Sequence, residues 1–285
     1  MMQSASDRFK SARLAAEQQR TELMQARTKE VLLDAYWNSV PDAIKRPIHW
    51  TRAKWWKAIG NVRHFEYEHR RELMRRVFTA LRFNAIDGAY AEFGCHGGMT
   101  FALAYRESRK IGYDCPMWAF DSFRGLPPKS LSQDEHPAWI EGALKTSLPR
   151  FHRMCRLAGM KHEEYRVVPG FYQDTLNVGN FHQDMPERIS FAYVDCDLYT
   201  SAKSVMRFLA SRIRHGTVVA FDDYFCFAEN ALAGERLACA EFLKENGTFI
   251  FSPYCQFGWH GMSFIAEDKI YWKRHDRSLL REVSF

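Results

Sequence analysis

From residue 89 onward, short apolar runs alternate with stretches of helical periodicity. The runs at 89–95, 117–123, 165–171, 189–197, 217–224, 248–255 and 262–266 have the length and composition of strands. Helices fit between most of them, for example at 99–111, 200–214 and 235–246. Strands alternating with helices predict an α/β fold, with a mostly parallel sheet covered on both faces. Ligands of such sheets bind beyond the C-terminal strand ends, near the point where strand order reverses. The residues that close each apolar run are therefore the informative ones.

The first third of the chain has a different texture. Leu14, Leu23, Met24, Val31, Leu32 and Tyr36 recur at helical spacing among charges and predict a helix over 5–37. Val40-Pro41-Asp42 and Arg46-Pro47 break it. Trp50, Trp55 and Trp56 then cluster within 48–60, as a lid over an active site or as packing anchors. A second helix is expected over 66–83, with Leu73, Val77, Phe78 and Leu81 on one face. This gives an N-terminal helical arm and lid over 1–85 and an α/β domain over 86–285. The arm is too polar to form a core alone, so it is expected to pack on the rest of the chain or on a second copy, giving a homo-oligomer.

Composition narrows the class. A chain with 46% hydrophobic and 26% charged residues can bury a large core and is not a disordered chain. The net charge of +6 sits at the N-terminal end, where residues 1–80 hold sixteen Lys/Arg against nine Asp/Glu. That excess reads as a solvated helix face or a surface for an acidic partner; without a compact basic run it does not point to nucleic acid. Seven cysteines at wide spacings, with no C-x-x-C, argue against a disulfide framework or a zinc site and suggest a reducing, cytoplasmic setting. No apolar stretch approaches a membrane span, so a soluble protein with no membrane partner is expected.

Four strand ends carry candidate chemistry. Glu92-Phe93-Gly94-Cys95-His96-Gly97-Gly98 closes one strand and opens a helix. Glycines there permit a tight turn and a close ligand approach, though the spacing is neither G-x-G-x-x-G nor a P-loop. Asp121 closes the next strand, where a carboxylate can accept both hydrogen bonds of a ribose diol or simply cap a turn; the glycine turn before it favours the nucleoside reading. Val194-Asp195-Cys196-Asp197-Leu198-Tyr199 and Phe221-Asp222-Asp223-Tyr224 close two more. Four carboxylates at adjacent strand ends repel one another unless paired, unless some merely cap helices. A hard divalent cation such as magnesium, which prefers oxygen ligands and retains exchangeable positions, relieves that repulsion.

Together these motifs resemble the macrocin O-methyltransferase family. The residues that carry the resemblance are AEFGCHGGMT, AFDSFRGLP, the Gly170-Phe171-x-x-Asp174-Thr175-Leu176 element, YVDCDLYTSA and FDDY, in order over roughly 88–245. The resemblance implies a class I, Rossmann-like methyltransferase domain with a seven-stranded sheet and S-adenosylmethionine on the glycine turn. Asp121, with Ser122 beside it, would hold the ribose, Glu92, Gly94 and Thr100 would lie near the methionine end, and Gly170 and Phe171 near the adenine. Asp195, Asp222 and Asp223 match the family's metal ligands, and Asp197 its proposed general base. Arg124 stands where the family usually has an acidic residue, and Arg214-His215-Gly216 where it has Pro-Gly-Gly. The N-terminal arm and residues 255–285 carry no motif of this kind.

The implied reaction is metal-dependent methyl transfer to a hydroxyl of a small molecule, a sugar or glycosylated natural product being favoured. A catechol or other phenol is the alternative acceptor, although Leu198 follows Asp197 where catechol enzymes use a lysine. A non-catalytic cofactor-binding protein and a nucleic-acid methyltransferase are further alternatives; no N-P-P-Y-type motif supports the latter. Asp197 either takes the hydroxyl proton or orients Tyr199 or a backbone amide, and His96 is a second candidate base.

Overall fold

The computed structural model describes residues 62–176, 185–226 and 233–273, with isolated positions between 32 and 54. The chain divides into two compact units, Met1–Pro41 and Asp42–Phe285, and the sheet with its surrounding helices belongs to the second. The helix expected over 5–37, Leu32 apart, and the Trp50, Trp55 and Trp56 cluster lie outside the described residues.

All seven expected strands form: β1 (Ala89–Phe93), β2 (Met117–Asp121), β3 (Tyr165–Pro169), β4 (Ile189–Val194), β5 (Val218–Phe221), β6 (Phe249–Phe257) and β7 (Gly261–Asp268). They make one sheet in the order β3-β2-β1-β4-β5-β7-β6. β1 to β5 run parallel; β7 is antiparallel to β5 and forms a hairpin with β6. Strand order reverses between β1 and β4, so a crevice opens there at the C-terminal strand ends.

β1, β4 and β5 are buried along their whole length because helices cover both faces. On one face, Tyr90, Phe191 and Tyr193 pack against Leu73, Val77 and Phe78 of α1 (Val62–Phe83), Phe101 of α2 (Met99–Ile111) and Phe151 of α3 (Leu148–Ala158). On the other, Phe93, Phe120, Val194 and Phe221 meet Val205, Phe208 and Leu209 of α5 (Tyr199–Leu209) and Phe242 of α6 (Gly234–Glu245). Alternation within a strand is the period-two rule at work: Tyr90 faces one layer, Ala89, Ala91 and Phe93 the other. Two short helices, α4 (Tyr172–Thr175) and α7 (Lys269–Lys273), are also present. Helix α2 ends where Gly112, at φ 73°, turns left-handed and its N–H bonds back to Arg109. All seven cysteines are free thiols. Among the described residues, no helix is long and apolar enough to cross a membrane.

Candidate active site

The apolar runs overshoot the strands, and the overshoot makes the site. Residues 94–98 leave β1 as a turn into α2. Gly94 takes φ 92°, and a Cβ there would lie 1.7 Å from the Asp195 carbonyl oxygen. Its glycine is thus demanded by the close passage of the β1 and β4 ends, in addition to any ligand. Asp121 ties the turn down: Oδ2 accepts the N–H groups of Cys95 (2.8 Å) and His96 (2.9 Å), and Oδ1 that of Phe123 (2.6 Å). Ser122 Oγ donates to the Gly125 carbonyl at 2.9 Å and accepts the Arg124 N–H. His96 Nδ1 lies 2.6 Å from the Leu144 carbonyl oxygen and 3.0 Å from Thr146 Oγ1, which draws the 142–146 segment over the glycine turn. Asp134 anchors the same excursion from the other side, accepting the Thr200 N–H at 2.9 Å in the first turn of α5.

These segments wall a cleft at the C-terminal strand ends that opens to solvent. Gly94, Asp121, Ser122, Gly170, Phe171, Asp195 and Asp197 line it, as do Leu126, Leu144, Tyr172 and Ser201, which the sequence did not single out. Glu92 and Thr100 are not on its wall. Thr100 is partly buried in the first turn of α2. Glu92 is fully buried; Tyr90 donates its hydroxyl to Oε2, while Oε1 has no hydrogen-bond partner. Burial pushes the Glu92 carboxyl up to about 8, with Asp222 and Asp121 adding to the rise.

The four aspartates of β4 and β5 do gather, but as two overlapping groups. Ligand atoms of Asp195, Asp197 and Asp223 all lie within 4.8 Å of one another, and so do those of Asp222, Asp223 and His260. Asp223 is shared; Asp195 and Asp222, expected to act together, fall in different groups. Asp222 has a cation from α1 beside it. Arg70 grips Asp222 with both ends of its fork, Nε to Oδ1 at 3.0 Å and Nη2 to Oδ2 at 2.6 Å, and Nε also reaches Tyr193 Oη at 3.1 Å. Tyr193 donates its hydroxyl to Asp222, and His260 Nδ1 meets the Asp222 carbonyl oxygen. Burial opposes the Arg70 charge, but Tyr193 and Asp222 outweigh it and hold its pKa above the ordinary value.

Among the described residues, the other three carboxylates have no such two-pronged ion pair. Burial, then the neighbouring Asp222 and Asp223, pushes Asp195 well up; burial and Asp223 do the same to Asp197, which hydrogen-bonds Asp223. Asp223 itself rises to about 6, mainly through burial and Asp222. Asp197 adopts φ 62°, a left-handed conformation that Asp tolerates better than most residues. A fifth carboxylate, Glu235 at the start of α6, is fully buried and accepts the N–H of Cys196 at 2.8 Å and of Asp223 at 2.9 Å.

The family model described as Macrocin-O-methyltransferase (TylF) matches residues 18–255. The chain belongs to the macrocin O-methyltransferase family. The match reaches well into the N-terminal arm, beyond the 88–245 span of the motifs, so the arm is part of what the family shares. A mycinamicin III 3''-O-methyltransferase from Micromonospora griseorubida is 28% identical over 163 residues, 53% of this chain and 61% of the relative. A tetracenomycin-C 4'-O-methyltransferase from Streptomyces olivaceus, whose substrate name includes a rhamnosyl group, is 28% identical over 116 residues, 38% of this chain and 41% of the relative. The aligned part thus spans between two fifths and three fifths of these curated relatives.

Among solved structures, the O-methyltransferase NovP superposes with a TM-score of 0.58 at 21% identity, covering 70% of this chain and 80% of that one. The calicheamicin methyltransferase CalS11 gives 0.53 at 18% identity, covering 68% and 77%. The fold of this macrocin O-methyltransferase family member is therefore the class I methyltransferase fold. Three side chains at its carboxylate cluster were not foreseen. Arg70 sits among Arg71, Arg75 and Arg76 on one helix, and nothing in their order marks which one turns inward. Glu235 looks like an ordinary acidic residue in a helix's first turn. His260 has the clearest signal, a histidine in the Gly258-Trp259-His260-Gly261 turn of the β6–β7 hairpin.

Proposed function

We propose that the protein transfers a methyl group from S-adenosylmethionine to a hydroxyl of a sugar or glycosylated small molecule, with a divalent cation held by its strand-end carboxylates. The observation that carries this reading is the juxtaposition of Asp195, Asp197 and Asp223 within 4.8 Å, with Asp195 and Asp197 on the wall of the cleft that Gly94, Asp121, Gly170 and Phe171 also line.

The residues present fit both groups. Among the described residues Glu92 Oε1 is a buried acceptor without a donor, on the strand that leads into the glycine turn and behind the cleft wall. Asp121 stands at the β2 end of the cleft, where it would hold a ribose. Asp195 and Asp223, with Asp222 next to Asp223, offer the oxygen donors a hard cation prefers, and Arg70 also holds Asp222. The cofactor, when bound, supplies a methyl group on a sulfonium, and the cation a positive charge that lowers the pKa of a hydroxyl it holds.

The chain's own part is to position and to move one proton. Gly94 brings the β1 and β4 ends together, so cofactor pocket and carboxylates share one wall. Asp197, which stands on the cleft wall and matches the family's proposed base, accepts the proton of the acceptor hydroxyl at a carboxylate oxygen. Leu126, Leu144 and Phe171 line the cleft with apolar surface, which keeps water from competing for the methyl group. A sugar acceptor is supported by the rhamnosyl group in the name of one curated relative. The test is transfer of labelled methyl across a panel of nucleotide sugars, glycosides and phenols. Label in a glycoside or sugar hydroxyl is expected; label only in phenols, or in none, would overturn the assignment.

A further inference from the structure

We propose that Glu235 is the positioning residue of the cation site: it clamps the β4 and β5 loops together through their backbone amides and so sets the spacing of the carboxylates they carry. The inference rests on the reading that those carboxylates hold a divalent cation.

Each oxygen of Glu235 serves a different loop. Oε1 accepts from the Cys196 N–H, between Asp195 and Asp197, and Oε2 from the Asp223 N–H. One side chain thus bridges the backbones that present all three members of the Asp195–Asp197–Asp223 group. The helix bearing it is seated in the same place: Gly234, at φ 58°, passes so close that a Cβ there would lie 3.3 Å from the Asp197 carbonyl oxygen and 3.4 Å from that of Cys226. Among the described residues, neither group of candidate ligand atoms includes Glu235. Adding a further carboxylate to a crowded acidic cluster carries an electrostatic cost, so its presence calls for a compensating role. Two hydrogen bonds from the chain segments that must hold still are such a role. Outer-layer partners of this kind fix ligand orientation in metal sites, and their loss typically weakens metal binding ~10–100-fold.

The test is Glu235→Gln, which keeps the shape and one acceptor but turns an NH2 group toward one of the two amides. Manganese binding, followed by electron paramagnetic resonance, and S-adenosylhomocysteine binding, followed by calorimetry, are measured on parent and variant. The manganese dissociation constant is expected to rise ~10–100-fold while that for S-adenosylhomocysteine stays put, because Asp121, Gly170 and Phe171 do not depend on the clamp. Unchanged manganese affinity would overturn the proposal, and a parallel loss of both affinities would reduce Glu235 to a general structural role and overturn it too. A parent that binds no manganese would instead remove the cation reading itself, and the clamp's purpose with it. Should Glu235→Gln fail to fold, Glu235→Asp is read the same way, since it keeps the charge but is a methylene too short to reach both amides.

Discussion

Replacing Arg70 by methionine strips Asp222 of its guanidinium partner and leaves a carboxylate that is only 5% exposed beside Asp223. Arg70 is itself only 20% exposed, so the pair belongs to the buried class, and surface screening does not erase it. Removing one member of a buried pair typically costs about 3–5 kcal/mol, because the survivor keeps its desolvation penalty. For a unit of this size, with roughly 2–4 °C per kcal/mol, the melting temperature should fall by about 6–20 °C. The assay is calorimetric melting in chelator. Asp222→Asn in the Arg70→Met background should recover much of the loss, since the uncompensated charge is gone, and the two substitutions should be strongly non-additive. Excess magnesium should stabilise Arg70→Met more than the parent, as a cation bound only by the folded state raises stability by mass action. A loss below about 1 kcal/mol, the size expected of an exposed pair, or simple additivity of the two changes, would refute the reasoning.

Two further outcomes are expected from the same geometry. Glu92 has a folded pKa near 8 against an ordinary value of 4.5, so its contribution to stability is complete below pH 4.5 and is lost as pH rises through about 8; the melting temperature in chelator should decline between about pH 4.5 and 8, and Glu92→Gln should flatten that decline, whereas an unaltered slope would exclude Glu92 as its source. Asp121→Ala removes the acceptor of the Cys95, His96 and Phe123 amides and the proposed partner of the ribose; with hydrogen bonds to a charged group at about 1.5–3 kcal/mol each, S-adenosylhomocysteine affinity should fall at least ~10-fold, and unchanged affinity by calorimetry would remove Asp121 from the cofactor site.

The fold was legible because its signal is local. Each apolar run is short, and the helices between them show their own period, so all seven strands and helices α1, α2, α5 and α6 stand where the pattern put them to within a few residues. The runs ended late in every parallel strand: Gly94-Cys95, Ser122-Phe123, Gly170-Phe171, Asp195-Cys196-Asp197 and Asp222-Asp223-Tyr224 are turns. Apolar residues continue there because the turns are packed, and Cys95, Phe123 and Cys196 are all buried. Helix α3 is marked in sequence only by Pro149 in its first turn and by Phe151 and Cys155, its two buried residues, one turn apart.

The site was legible where one residue's chemistry suffices and opaque where it depends on a partner far along the chain. A run of aspartates at a strand end announces itself. That Asp222 belongs to Arg70, 152 residues earlier, and Asp223 to Glu235, across the β5–α6 connection, is set by tertiary packing. The same holds for Asp121: it was read as a ribose acceptor, and it also spends three hydrogen bonds on backbone amides. Gly94 was read as making room for a ligand, and it also makes room for the Asp195 carbonyl oxygen.

Whether crowded carboxylates at the ends of β4 and β5 hold a divalent cation that readies a hydroxyl for methylation is tested most directly by one rate. It is that of labelled methyl transfer to the best acceptor of the panel, measured in chelator and again after magnesium is restored, for the parent and for Asp223→Asn. Transfer by the parent should stop in chelator and return with magnesium, and Asp223→Asn should lose it under both conditions. Equal rates with and without the chelator in the parent would contradict a role for the cation.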